Sequence, residues 1–136
     1  MIVVLKLTNG EEIVGCVEND DVPVHQLELI NLLDPMYIVD QKDEVGHSVM
    51  RLEDALLLSD DEYLTFKQKD VITYYKPAPK LCDYYSKASV YAKNYAKPRL
   101  HKQITGAIRE LETIMNEQSD PWENFMNTVY SKNTKH

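Results

Sequence analysis

The chain has 136 residues, 43% of them hydrophobic and 27% charged, with 22 Asp and Glu against 15 Lys and Arg for a net charge of −7. That is enough to bury one core, at ~100–200 residues per domain, and it excludes a multi-domain enzyme. Charge is divided unevenly: Met1 to Pro77 holds 6 basic and 16 acidic residues (net −10), whereas Ala78 to His136 holds 9 and 6 (net +3), which predicts two segments with different roles.

The acidic segment reads as strands. Ile2 to Leu7 is β-branched and apolar, Thr8-Asn9-Gly10-Glu11 is turn chemistry, and Glu12 to Val17 resumes the apolar run, so a β-hairpin is predicted with Asn9-Gly10 as its two positive-φ positions. Gly15 inside the second strand predicts a bulge or sharp bend. After the break at Asn19 to Pro23, a third strand is expected over Gln26 to Val39, bent at Asp34-Pro35. Asp40 to Ser48 reads as a loop, Val49 to Leu58 as a strand and Ser59 to Glu62 as a turn. Tyr63 to Phe66 and Val71 to Tyr75 read as two short strands.

The basic segment reads as helices. Leu81, Tyr84, Ala88, Tyr91 and Tyr95 advance by 3, 4, 3 and 4, predicting one packing stripe on a helix that stops before Pro98. Leu100, Ile104, Ile108, Leu111 and Met115 advance by 4, 4, 3 and 4 on a second amphipathic helix. Asp120-Pro121-Trp122-Glu123 carries a helix start, predicting a short third helix with Trp122, Phe125, Met126 and Val129; Ser131 to His136 reads as a frayed tail.

Little in the chain carries reaction chemistry. His25, His47, His101 and His136 stand far apart, Cys16 and Cys82 have no CxxC spacing, and the four glycines form no phosphate loop, so neither a metal nor a nucleotide cofactor is expected. The acid pairs Glu11-Glu12, Asp20-Asp21 and Asp60-Asp61 fall where adjacent side chains diverge or are solvated, which disfavours acid–base catalysis; the chain is read as a non-enzyme. No run of ~18 apolar residues or signal-peptide pattern occurs. A cytoplasmic protein with free thiols is expected.

The string Leu5-Lys6-Leu7-Thr8-Asn9-Gly10-Glu11-Glu12-Ile13-Val14-Gly15-Cys16-Val17 resembles the first motif of the Sm-like (Sm, LSm and Hfq) superfamily. Asp21, Val24 and His25 follow where that family commonly places Asp, an apolar or aromatic residue, and Asn. Tyr63-Leu64-Thr65-Phe66-Lys67-Gln68-Lys69-Asp70-Val71-Ile72 is similar to the second motif, with Gln68 in place of the usual Gly or His. Within the superfamily the chain looks most like the short Sm-like proteins of tailed phages that infect cyanobacteria. The resemblance spans Met1 to Pro77 and implies a mainly β fold: a strongly bent, five-stranded antiparallel barrel over residues 1–77, followed by a helical extension of two or three helices over residues 78–136.

It further implies a homo-oligomeric ring of five to eight copies, closed where Tyr63, Leu64, Thr65 and Phe66 of one copy pair with Val71, Ile72, Thr73, Tyr74 and Tyr75 of the next. Single-stranded RNA is the implied ligand, held by Asp21, Val24, His25, Lys67, Gln68 and Lys69. The alternative is a ring-shaped structural or protein-interaction module without nucleic acid. The basic stretch Ala78 to Thr105, net +5 and interleaved with Tyr84, Tyr85, Tyr91 and Tyr95, fits either a packed tyrosine stripe edged by solvated lysines or an added nucleic-acid surface.

Overall fold

A computed structural model describes residues 1–18 and 21–118. The expected third helix and C-terminal tail lie outside the described residues. Six strands form one antiparallel sheet: β1 (Ile2–Leu7), β2 (Glu12–Val17), β3 (Leu29–Lys42), β4 (Ser48–Asp54), β5 (Tyr63–Lys67) and β6 (Val71–Tyr75). Two helices follow, α1 (Pro79–Tyr91) and α2 (Lys97–Gln118), joined by a π-helical segment, Ala92–Ala96.

The β1–β2 hairpin forms as the Asn-Gly signal predicts, with one change of detail. Gly10 alone has positive φ (88°), its N–H donates to the Leu7 carbonyl, and Asn9 Oδ1 accepts from the Glu11 N–H at 2.9 Å. This is the three-residue loop in which one left-handed glycine follows an ordinary turn, so only one positive-φ position is needed. The same device shortens the loop expected over Asp40 to Ser48. β3 and β4 remain paired out to Lys42 and Ser48, and Asp43 Oδ1 accepts from the N–H groups of Val45 and His47 while Gly46 takes φ 89°. β4 ends at Asp54, four residues short of Leu58, because Asp54 Oδ1 caps the Leu56 N–H and turns the chain. β3 starts at Leu29, later than Gln26, because Val24–Gln26 is a 3-10 turn.

The strand order is β4-β3-β2-β1-β6, and β5 also lies on β3. The long β3 makes this possible: its first half pairs with β5 (Leu29↔Lys67 to Leu33↔Tyr63) and its second half with β4 (Met36↔Asp54 to Lys42↔Ser48). The two halves meet at Asp34-Pro35, where Asp34 adopts φ 49° and the β2–β3 register shifts between Val14 and Cys16. Gly15 sits in that shift because a side chain would run into Leu32 and into the Leu33 carbonyl oxygen, 2.9 Å from an added Cβ.

β5 and β6 therefore occupy opposite ends of a β5-β3-β2-β1-β6 path, about 19 Å apart if the sheet were flat at ~4.8 Å per strand. Only the 3-10 turn Gln68–Asp70 separates them, and four residue steps reach at most about 14 Å. The sheet has to curl.

Curling gives it two apolar faces. Val3, Leu5, Leu7, Ile13, Val17, Val24, Ile30, Leu32 and Val71 fill the first; Val4, Val14, Met36 and Leu52 form the second, which α1 covers with Tyr85 and, just beyond the helix, Ala92. β1 is consequently buried on both sides. The expected tyrosine stripe does not pack. Leu81, Tyr85, Ala88 and Ala92 face the sheet, whereas Tyr84, Tyr91 and Tyr95 are 42%, 59% and 65% exposed. Tyr85 wins because its hydroxyl finds partners beneath it, as a buried tyrosine requires.

The helix also fails to stop before Pro98. The π-helical turn widens the ladder so that the Lys97 N–H donates to the Ala92 carbonyl, and the proline, which has no N–H to offer, enters α2 at its second position. The chain divides into two compact units, Met1–Lys97 and Pro98–His136, so α1 belongs with the sheet, about twenty residues beyond the boundary expected at Pro77. Within the second unit, α2 has the expected amphipathic pattern. Among the described residues, no helix is long and apolar enough to cross a membrane.

Candidate nucleic-acid interface

The two segments singled out by motif, Asp21 to His25 and Lys67 to Lys69, are more than forty residues apart in the chain and come together in the fold. Pro23 opens the 3-10 turn Val24–Gln26, and Val24 turns inward, 1% exposed, as a plug in the first core face. Its burial fixes the turn and leaves no surface on Val24 for a ligand. His25, next in sequence, is thereby pushed outward. Its ring lies end to end with that of Tyr74 of β6, with centroids 6.3 Å apart and planes within 14°, and Nδ1 shares a 2.9 Å hydrogen bond with the Tyr74 hydroxyl.

Gln68 fastens the second segment to the first. Its side-chain amide, with the nitrogen turned inward, donates to the carbonyls of Val24 and Leu27 at 3.0 Å each, and its backbone N–H donates to the Glu28 carbonyl at 3.0 Å. Gln68 is a strut, not a free edge-reading amide. Lys67 and Lys69 flank it and are exposed, as is Asp21 at the start of the facing segment. The resulting surface combines a planar aromatic pair with two cations, the elements needed to stack a base and neutralise phosphate. Tyr74, read from sequence as a strand-edge residue, is the member of this group that sequence reasoning missed; the β-alternation that puts its neighbours elsewhere was the available signal.

The strand-edge residues are placed as follows. β5 uses one edge on β3 and β6 one edge on β1. Tyr63, Thr65, Ile72, Thr73 and Tyr75 are exposed, Leu64, Phe66 and Tyr74 half-buried, and Val71 buried. Thr65 Oγ1 donates to Asn31 Oδ1 at 2.7 Å. Ile72 is the residue passed over where the β1–β6 register shifts.

A second concentration of charge lies at the β3 bend. The Tyr85 hydroxyl donates to the carbonyls of Asp34 (2.9 Å) and Leu33 (3.2 Å), with Cys16 Sγ 3.8 Å away; burial first, then Cys16, Asp34 and Asp54, pushes the phenol pKa far above its ordinary value. Lys93 Nζ donates to Asp34 Oδ1 at 2.9 Å, which raises the lysine pKa against the opposing effect of burial. Asp34 lines a cleft of about 320 Å³ together with Asp54, Asp60, Asp61, Glu62, Lys93 and Lys97. Five carboxylates against two lysines repel an anionic ligand there. Among the described residues, no three His, Cys, Asp or Glu side chains converge as a metal ion requires.

Comparison with models of known protein families gave no match, and comparison with curated proteins likewise gave none. The geometry therefore carries the functional reading.

Proposed function

We propose that the chain is a subunit of an Sm-like ring that binds single-stranded RNA through the His25–Tyr74 pair and the Lys67 and Lys69 side chains. The observation that carries this is the Gln68 strut, which holds two remote segments together so that a near-planar pair of hydrogen-bonded aromatic rings stands beside two exposed cations. In the ring, the open edge of β5 in one copy pairs with the open edge of β6 in the next, so that strand edges become ladders. The five-stranded barrel of the family corresponds to the curled path, with β4 and β5 as two halves of one interrupted strand on β3.

The acidic sheet segment makes generic RNA affinity weak, so stacking has to supply the larger share of binding. Fluorescence anisotropy with uridine-rich and adenine-rich oligonucleotides at two salt concentrations tests this. Saturable binding at low salt, weakened by His25→Ala and by the double variant Lys67→Ala/Lys69→Ala, is expected. No saturable binding at low salt removes the RNA reading. Ile72→Pro is expected to abolish ring-sized species in sedimentation equilibrium while the circular dichroism spectrum stays native; an unchanged assembly in that variant places the edge elsewhere. The alternative, a ring used for protein interaction without nucleic acid, is favoured by the exposed Tyr84, Tyr91 and Tyr95 along the helical segment, where Tyr91 and Tyr95 stack with centroids 5.7 Å apart.

A further inference from the structure

Among the described residues, no strand lies on the outer edge of β4. Its inner edge is held by β3 from Met36↔Asp54 to Lys42↔Ser48, and β4 ends the sheet on that side. In the proposed ring the five residues of β6 are matched by the five of β5 in the next copy, so the seven residues of Ser48–Asp54 stay unpaired there too. The edge is accessible, with Val49 and Met50 50% and 43% exposed. Proteins ordinarily pair or blunt an open edge of this kind.

The hydrogen-bond phase decides which residues face outward. At one end of the β3–β4 ladder the Asp43 N–H donates to the His47 carbonyl, and at the other the Ala55 N–H donates to the Pro35 carbonyl, with an unbroken register between them. Odd-numbered residues of β4 therefore bond to β3, and Ser48, Met50, Leu52 and Asp54 turn their N–H and C=O groups outward. An antiparallel partner has to set outward residues against outward residues.

Charge then selects a register. Arg51 and Glu53 share one face of β4, are hydrogen-bonded to each other, and have side chains 50% and 49% exposed. When β4 meets a second β4 about a two-fold axis, centring on Arg51 or on Glu53 sets like charge directly on like, and centring on Met50 sets Arg51 against Val49. Centring on Leu52 sets Arg51 of each copy against Glu53 of the other, so four charges alternate in sign across the join, and opposite charges facing across strands are stabilising. In that register Leu52 meets Leu52 and Met50 meets Asp54, all outward residues.

We infer that the β4 edge is a homotypic interface whose occupant is β4 of a second copy, antiparallel and centred on Leu52, so that one sheet continues through two chains. The two-fold axis stands perpendicular to the joined sheet and keeps both α1 helices on one side of it. The apolar cleft of about 490 Å³ between β4 and α1, lined by Leu52, Leu57, Tyr84 and Tyr91 among others, thus borders the join in both copies. The contact is isologous, so each β4 edge is filled by one partner. It is independent of the β5–β6 pairing and of RNA binding.

The test uses the full chain in sedimentation equilibrium at micromolar concentration, with circular dichroism and urea midpoints reading whether each variant is folded. Met50→Pro removes an outward N–H that β3 does not use, and is expected to lower the assembly mass roughly two-fold, since an isologous contact joins two equal halves; Met50→Ala is expected to keep the mass. In Ile72→Pro the contact is expected to leave a two-chain species, so its loss and the loss of the ring are read apart. Arg51→Glu and Glu53→Arg each set like charges across the join and are each expected to lose it, whereas an equimolar mixture of the two is expected to regain it. Mixing does not repair the Arg51–Glu53 bond within a strand, so recovery reads the contact between copies. In a Cys16→Ala/Cys82→Ala background, mixed Arg51→Cys and Glu53→Cys chains are expected to form a disulfide on mild oxidation. Arg51→Cys alone is expected not to, because its two copies stand about 7–8 Å apart on the diagonal, at or beyond the reach of a disulfide. The inference is overturned if folded Met50→Pro keeps the parental mass, as it would if the edge served a strand of a different protein. It is equally overturned if mixing the charge variants recovers no assembly, or if Arg51→Cys alone cross-links as readily as the mixture.

Discussion

Replacing Tyr85 by Phe removes one oxygen atom from the interior and tests whether α1 is part of the fold. The ring of Tyr85 is 2% exposed and its hydroxyl donates to two carbonyls at the β3 bend, those of Leu33 and Asp34. Phe preserves the apolar packing on Val4, Val14 and Met36, so the loss is confined to the hydrogen bonds. A single neutral hydrogen bond is worth about 0.5–1.5 kcal/mol, and an acceptor left dry costs about 1–3 kcal/mol. Leu33 and Asp34 are only half-buried, so water reaches part of the vacated site and the lower range applies. The expected loss is about 1–2 kcal/mol. With an m-value of about 1.5 kcal/mol per M, the urea midpoint falls by about 1 M. Tyr85→Ala, which also empties the ring volume, is expected to cost about 3–5 kcal/mol. A Tyr85→Phe midpoint indistinguishable from the parent, by either fluorescence or circular dichroism, would refute the idea that the helix braces the bend through this hydroxyl.

Three further outcomes follow from the same region. Gly15→Ala is expected to destabilise by about 2–3 kcal/mol in urea unfolding, since the added methyl meets the fully buried Leu32 side chain and a backbone oxygen, neither of which has room to retreat. The raised Tyr85 pKa makes a pH prediction: the unfolded phenol ionises near its ordinary 10.0 while the folded one keeps its proton, so its stabilisation is complete below pH 10 and lost as pH rises beyond it. Stability should therefore fall as pH rises above about 10, with a shallower fall in Tyr85→Phe; parallel pH profiles would show that the phenol is not protected by folding. Lys93→Met is expected to change stability by less than about 1 kcal/mol, because the Lys93 side chain is more than half exposed and water screens its pairing with the half-buried Asp34; a larger loss would mean the pair is less well hydrated than that exposure indicates.

The parts of the fold legible in the sequence are those set by local chemistry. Asn9-Gly10 and Gly46 mark their turns because each needs a left-handed residue, and the β6 bounds follow from β-branched residues between turn signals. Where one local signal competes with tertiary context, the sequence is ambiguous. Leu81, Tyr84, Ala88, Tyr91 and Tyr95 form a helical stripe as regular as Leu81, Tyr85, Ala88 and Ala92, and periodicity ranks the three exposed tyrosines above the one that is buried. What decides between them is a pair of carbonyls on a strand bend some fifty residues earlier in the chain. Pro98 is a similar case, since the π-helical turn that admits it has no sequence signature of its own. The candidate site was legible as two motifs, but Gln68 as strut and Tyr74 as hydrogen-bonding ring partner of His25 depend on the curl that brings the ends of β5 and β6 to the Val24–Gln26 turn.

Burial of β1 on both sides also imposes an order of events. The β1–β2 hairpin is synthesised well before α1, yet Val4 and Val14 are covered only when Tyr85 and Ala92 reach them. At roughly 5–20 residues per second, the chain between Val14 and Ala92 takes on the order of 4–16 s to emerge. Throughout that interval the hairpin presents a naked aliphatic face. The Asn9-Gly10 turn can close early, but the sheet cannot become water-stable until the helix arrives, so folding of this unit is a late, single commitment made after the helix is available.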